Sequence, residues 1–521
     1  MAEHIDDSRR EMVPRWRTFR VAAELGELGA AVEVRRPCLP DPAPGELEEL
    51  RLDWARYKTP LHAANLVDAA LVLGDPTIAE DAAAWLVDNG SVSDVSVELA
   101  RQVVSPWLPD DRGEPRELSC EDRYSRVASC RQLLRRAPRD ALLWVDLARE
   151  YSALGQLRPA EKAVRIAMDL APDNRFVVRS ASRFFLHAND AERAHDVLLR
   201  APSVRSDPWL AAAEIVAAEA TETESRLLAN GRDLVEAGNF KPRHISELAS
   251  ALGTLEHRAG KRKRVRRLFE AALKDPTENS VAQAVWVERH MPGFNVPDSA
   301  LDAPRAFEAG AWEAVQSGEY PRAVSLSTDW LMDEPFAPRP ARFGSWIAST
   351  ALGDYDLAAD LVETALVANP NDARLLAQLL YCKASAGKVD AAESLLPRLE
   401  EAIKDDTSDR SPAEWDVFLN ADRGLIAFRK GQVGDGGRFY EKAIELARSH
   451  GLQEAAASAS IHYARERVLA DPTAPLDESE LASATAEFSQ PSQAVFAQLV
   501  DRIRRRIVGN RPATRTDGGA S

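Results

Sequence analysis

The sequence predicts an all-α chain: a right-handed superhelical solenoid of helix–turn–helix repeats, preceded by a divergent helical N-terminal region. Three observations carry that prediction. Turn and packing residues recur in phase: Ala194 follows Ala160 by 34 residues, and Gly318, Gly353 and Gly387 are spaced by 35 and 34, with Ala323, Ala358 and Ala392 in step behind them. Apolar residues recur at steps of three and four, the period of one helix face, with little of the alternation that marks strands. Finally, 521 residues are too many for one compact core, whereas a stack in which each repeat touches only its neighbours grows freely.

The clearest unit is DALLWVDLAREYSALGQLRPAEKAVRIAMDLAP, from Asp140 to Pro172. Trp144, Leu147, Ala148 and Tyr151 define one helix face, Gly155 ends that helix, Ala160, Val164 and Ala167 define a second, and Pro172 stops it. Ala148 and Ala160 are small enough for the two helices to approach closely. This pattern resembles the tetratricopeptide repeat, with Val164 standing where an aromatic residue is usual. One such pair cannot bury its own apolar face, so copies are required. Val178, Ala181, Phe185, Ala194 and Leu198 make the second; Asp207–Phe240 is a degenerate third; Leu252, Gly253, Gly260, Val265, Phe269 and Ala272 make the fourth.

Taken in order, residues 1–11 read as a polar, disordered tail, and Pro14–Val34, with Trp16, Phe19, Ala23 and Leu28, reads as a helix. A proline-rich loop, RRPCLPDPAPG, precedes an amphipathic helix over Glu46–Tyr57. Leu61–Leu73 and Thr77–Val87 read as a hairpin broken at Gly74-Asp75-Pro76, followed by helices over Asp94–Val104 and Asp122–Arg136 with a second proline-rich loop between them. This divergent region, 12–137, is either a cap on the repeats or a separate helical domain. Residues 138–290 form a first array. Residues 291–303 are a linker or hinge, because Gly260 to Gly318 is 58 residues and not a whole number of periods. Residues 304–470 form a second array, and 471–521 hold C-terminal helices and a disordered tail.

The resemblance implies a non-catalytic interaction scaffold or accessory subunit. In such arrays the first helix of each pair lines a concave groove that holds a peptide or helix of another protein. Carried over unit by unit, the groove positions of the first array are Arg149, Arg179 and Arg183, guanidiniums suited to the carboxylates of an acidic segment. The alternative is that they pair with Asp and Glu of neighbouring repeats. Trp312, Phe343, Ile347 and Tyr381 take these positions in the second array, as apolar anchors for a partner or, alternatively, as packing between repeats. The Lys and Asn that clamp a C-terminal carboxylate in chaperone-binding members are absent: Val145 and Arg149, and Phe343 and Ile347, occupy those places.

No phosphate loop, HExxH, GxSxG elbow or dinucleotide fingerprint occurs, and nine histidines and four cysteines (Cys38, Cys120, Cys130, Cys382) are scattered, so neither catalysis nor a cofactor or metal is expected. The net charge of −16 disfavours general nucleic-acid binding. One run opposes that trend. RAGKRKRVRR, 258–267, carries seven positive charges, and its helical spacing turns Arg262, Lys263, Arg266 and Arg267 outward. This stripe offers a phosphate or acidic-partner patch, hence an alternative role as a nucleic-acid-associated subunit; its plain reading is a solvated face. No apolar run reaches membrane length and the start is polar, so no membrane association and a cytoplasmic location are expected. Arg-, Ala-, Asp- and Pro-rich usage suggests a bacterial source. The oligomeric state is left open.

Overall fold

A computed structural model describes residues 12–28, 45–89, 94–104, 120–406, 410–473 and 475–509. The tail at 1–11, both proline-rich loops and the C-terminal tail of the sequence reading lie outside the described residues. Those described are helical, with no strand among them, and they build tetratricopeptide-like helix–turn–helix repeats of the solenoid class.

The chain divides into two compact units. The first comprises Asp7–Ala306 together with Asp333–Phe336; the second comprises Phe307–Met332 and Ala337–Ser521. In the first unit, helices Glu46–Tyr57, Pro60–Leu73, Glu80–Asp88, Asp94–Val104 and Cys120–Arg136 precede four hairpins: Ala141–Ala153 with Leu157–Leu170, Arg175–His187 with Ala191–Arg200, Pro208–Ala220 with Leu228–Glu236, and Pro242–Arg258 with Arg262–Ala272. Glu278–His290 closes the stack. The region before the repeats shares their core: Leu50, Trp54, Leu66, Leu86 and Leu99 form one buried cluster with Leu143, Leu147 and Leu154 of the first hairpin.

Local chemistry explains where each hairpin starts and turns. The first helices are N-capped by Asp140, Asn174 and Asp207, whose side chains accept backbone N–H groups of the first turn; each cap stabilises by about 1 kcal/mol. The turns need left-handed backbone, which glycine adopts without strain and asparagine tolerates. Gly155, Asn189 and Gly260 supply it at φ 70°, 58° and 71°. Ala160, Val164 and Ala167 are all buried, as the spacing required. At Gly253 the helices approach closely: a Cβ there would lie 2.7 Å from the Phe269 ring. Met291, Phe294 and Ala300, within the stretch read as a linker or hinge, are buried, and Met291 and Phe294 pack against Phe269.

In the second unit the hairpins are Phe307–Gln316 with Tyr320–Asp333, Arg339–Ile347 with Tyr355–Ala368, Ala373–Ser385 with Val389–Lys404, and Pro412–Arg429 with Val433–Ser449. Gln453–Ala470, Glu478–Ala486 and Ser492–Gly509 follow. Gly318, Gly353, Gly387 and Gly431 all have φ between 75° and 82°, one per hairpin turn. Among the described residues no helix is long and apolar enough to cross a membrane.

Candidate functional site

The groove of the first unit is lined by the first helix of each hairpin. Arg175, Arg179 and Arg183 stand one turn apart on Arg175–His187; Asp146, Arg149 and Glu150 come from Ala141–Ala153, Arg243 and Glu247 from Pro242–Arg258, and Glu278 from Glu278–His290. The chain's own residues 12–28 lie in this groove. The helix expected over Pro14–Val34 is reduced to Phe19–Glu24, and Val13–Thr18 has no secondary structure. Tertiary contacts explain the difference. Arg183 Nε donates to the Pro14 carbonyl at 2.9 Å and Arg149 Nε to the Trp16 carbonyl at 2.8 Å. Guanidiniums thus take the carbonyls that a helix would bond internally. Arg243 Nη2 reaches the Leu25 carbonyl at 3.0 Å, and Arg175 donates to that of Leu28. In the other direction, the Phe19 amide donates to Asp146 Oδ1 at 2.9 Å.

Side chains of the segment are held as firmly as its backbone. Trp16 is 1% exposed and packs against Phe184 and Phe336, with ring centroids 6.2 and 5.2 Å away. Phe19 meets Phe176 edge to face at 5.4 Å. Arg17, also buried, donates to Glu27 at 2.6 Å, Glu278 at 2.9 Å and Asp333 at 2.7 Å. Arg15 donates to Glu334 at 2.7 Å. Arg149 bonds Glu150 and the Asp333 carbonyl, and Arg305 pairs with Asp333 at 2.8 Å. Five guanidiniums (Arg15, Arg17, Arg149, Arg183, Arg305) therefore face five acids (Glu27, Glu150, Glu278, Asp333, Glu334).

Burial and charge work against each other here. At Arg17, burial opposes the charge, but Glu278, Glu27 and Asp333 outweigh it and hold the guanidinium protonated more strongly than usual. At Asp333, burial is likewise outweighed, by Arg17 and Arg305, and the carboxyl lies below its ordinary range. Glu27 goes the other way: burial, reinforced by Glu278 and Glu247, exceeds the pull of Arg17 and raises it to about 8. His187, edge-on to Phe336, is lowered to about 3 by burial and by Arg183, so its imidazole is neutral.

The sequence-predicted positions sort as follows. Arg149, Arg179 and Arg183 do line the inner helices, and all three are buried. Arg149 and Arg183 grip the segment, while Arg179 pairs with Glu247 and stacks 4.1 Å over Trp209, a neighbour from the next repeat. Trp312, Phe343, Ile347 and Tyr381 are each 4% exposed or less and pack between repeats; Trp312 and Phe343 meet edge to face at 4.6 Å. The Tyr381 hydroxyl accepts from buried Arg465 at 2.7 Å. Trp312, Ile347 and Tyr381 hold the same place in the repeat as Arg149 and Arg183, six residues before the turn, but the second unit's own residues cover them, as Arg465 covers Tyr381.

On the outward face of Arg262–Ala272, Arg262, Lys263, Arg266 and Arg267 are exposed. Arg266 donates to the Gly293 carbonyl at 3.0 Å, and Arg267 lies 3.4 Å from Glu236. The flanking charges are opposed: Arg258 by Glu219, and Lys261 and Arg264 by Glu256.

Sequence reasoning missed the segment itself, its acidic seats at Glu278, Asp333 and Glu334, and buried Asp422. That carboxyl lines a cavity of about 10 Å³ with Tyr381, Tyr440 and His462, and burial raises it to about 8. Only Pro-Arg-Trp-Arg, two cations flanking a large aromatic in an acidic chain, could have drawn attention to the segment.

No protein-family model matches the chain, and no curated protein is similar to it. Solved structures align over most of its length. Human IFIT1, solved as a dimer with PPP-AAAA, is 14% identical over 93% of this chain and 99% of its own, with a TM-score of 0.31. A monomeric IFIT1 mutant with Gppp-AAAA is 14% identical over 97% and 100%, again at 0.31. Yeast Tom70 is 12% identical over 89% and 95%, at 0.30. At these scores the superpositions establish no common arrangement, and the chain stands as a helical-repeat protein on its own hairpins.

Proposed function

We propose that this chain is a non-catalytic interaction protein of tetratricopeptide type, a scaffold or accessory subunit that holds an extended segment of a partner protein in the groove of its first unit. One observation carries the reading. The groove already holds an extended segment, residues 12–19, through arginine-to-carbonyl bonds that any polypeptide backbone can satisfy. Backbone recognition of this kind supplies affinity, and the flanking pockets supply specificity.

Crosslinking the tagged protein to its retained partner in native lysate, after nuclease treatment, tests it. Partner crosslinks on Ala141–Ala153 and Arg175–His187, reduced by Arg149→Gln with Arg183→Gln, are the expected outcome. Crosslinks confined to the second unit refute the groove. A second reading, nucleic-acid association through the outward basic face, draws on exposed Arg262 and Lys263. It requires binding to a labelled oligonucleotide at low salt that Lys263→Glu with Arg266→Glu removes.

A further inference from the structure

We infer that the first groove is a receptor for an extended arginine–aromatic–arginine segment of a partner protein, and that residues 12–19 are its built-in competitor. This rests on the groove reading above and adds what the groove selects and how it is controlled.

Selection follows from charge. The carboxylates of the groove that meet the segment's cations are Glu278, Asp333 and Glu334. Residues 12–19 bring Arg15 and Arg17 and no acid, so the segment's cations answer the groove's carboxylates. With the segment seated, Glu278 and Glu334 are 3% and 1% exposed, so a chain that takes its place and buries them as deeply must carry cations at the same spacing. Planar guanidinium suits the Arg17 seat better than ammonium, because that position donates to Glu278 and Asp333 of the groove at once. The pocket between Phe184 and Phe336 takes a large aromatic side chain between the two arginines. Carbonyls of Pro14 and Trp16, two residues apart, meet Arg183 and Arg149, which fixes an extended conformation across the motif.

Control follows from connectivity. The occupant is covalently attached, so it competes at a high effective concentration, and a free partner must overcome that advantage.

The probe is a fluorescein-labelled synthetic peptide with the sequence of residues 12–28, titrated into the full-length protein and into full-length Trp16→Ala/Arg17→Ala, helical content being checked for both. The double variant should bind at least tenfold more tightly than the intact chain, and a peptide with both arginines replaced by Ala should lose at least tenfold. Because the double variant can unfold, a second form keeps the segment in place: the full chain carrying a protease site between residues 29 and 44, cut after purification. Excess peptide should displace the cut segment, as followed by gel filtration and mass spectrometry. Equal peptide binding by intact and variant protein overturns the competitor while leaving the groove a receptor. No binding by any form, with the cut segment never displaced, overturns both. A concentration-dependent dimer abolished by Trp16→Ala would make the occupant a second copy of this chain and overturn the partner assignment.

Discussion

Replacing Arg17 by Met is the most searching test of how the segment is held. The side chain is 3% exposed and its guanidinium donates to Glu27, Glu278 and Asp333 within 2.9 Å. Methionine keeps the volume and removes the charge. Breaking a buried ion pair by deleting one partner costs about 3–5 kcal/mol, because the other charge is stranded. The lower end applies here, since Asp333 keeps Arg305 at 2.8 Å and Glu278 keeps Arg15 at 3.8 Å. At about 1.4 kcal/mol per factor of ten, about 3 kcal/mol raises the open population of the segment roughly 100-fold. The Phe19 amide, bonded to Asp146, reports that opening directly. Hydrogen exchange read by mass spectrometry on peptides covering residues 13–19 should therefore quicken roughly 100-fold, within the standard range of such opening energies, while peptides from the second unit stay unchanged. Arg17→Lys, which keeps a charge but not the fork, should give a smaller acceleration. Exchange at Phe19 that is the same in Arg17→Met and wild type would refute the claim that the ionic seat holds the segment.

Other outcomes follow from single sites. Gly253→Ala places a methyl 2.7 Å from the Phe269 ring in a buried helix contact, so the urea midpoint should fall by the equivalent of about 1–3 kcal/mol; an unchanged midpoint contradicts the packing. Asp422, raised to about 8 by burial, keeps its proton in the fold while the unfolded chain releases it above about pH 4. The unfolded state thus binds fewer protons across that window, and stability falls as pH rises from about 4 to 8, by up to about 1.4 kcal/mol per unit. Asp422→Asn removes this loss, so its stabilisation relative to wild type should grow between pH 5 and 7; a difference flat with pH refutes it. Cys382 is buried with its thiol raised to about 12, and an aromatic disulfide reagent should modify it only after urea is added.

Much of the fold was legible because its demands are local. A glycine at Gly155, Gly318 or Gly387 is needed where φ is positive, an Asp or Asn at 140, 174 and 207 where a helix begins, and small residues at Ala160 and Ala194 where helices touch. The groove arginines were legible for the same reason, since inner-helix positions follow from repeat phase. Their occupant was not. Trp16, Phe19, Ala23 and Leu28 carry helical spacing, and what overrides it is a set of hydrogen bonds from residues more than 100 positions away. Nor does anything local to Asp333, Glu334 and Phe336, at the end of a helix in the second array, show that they serve a segment near the start of the chain. Trp312, Ile347 and Tyr381 share the repeat position of Arg149 and Arg183, and what phase could not show is that residues distant in sequence, such as Arg465 against Tyr381, bury them along with Phe343.

The assignment of Asp333–Phe336 to the first unit bears on how this gene can be dissected. The obvious place to end an N-terminal fragment is Ala306, where the compact unit stops in sequence. That fragment would lack Asp333 and Glu334, which accept from Arg17 and Arg15, and Phe336, which walls the Trp16 pocket. Its groove would hold a segment stripped of half its seats, and a binding assay on it would report a protein that does not exist in the full chain. A fragment reaching Ala337 keeps those seats but must also carry Phe307–Met332, which belong to the other unit. The two units are thus interleaved in the gene although compact in space, and insertion or recombination at the 306/307 boundary severs a site rather than a linker.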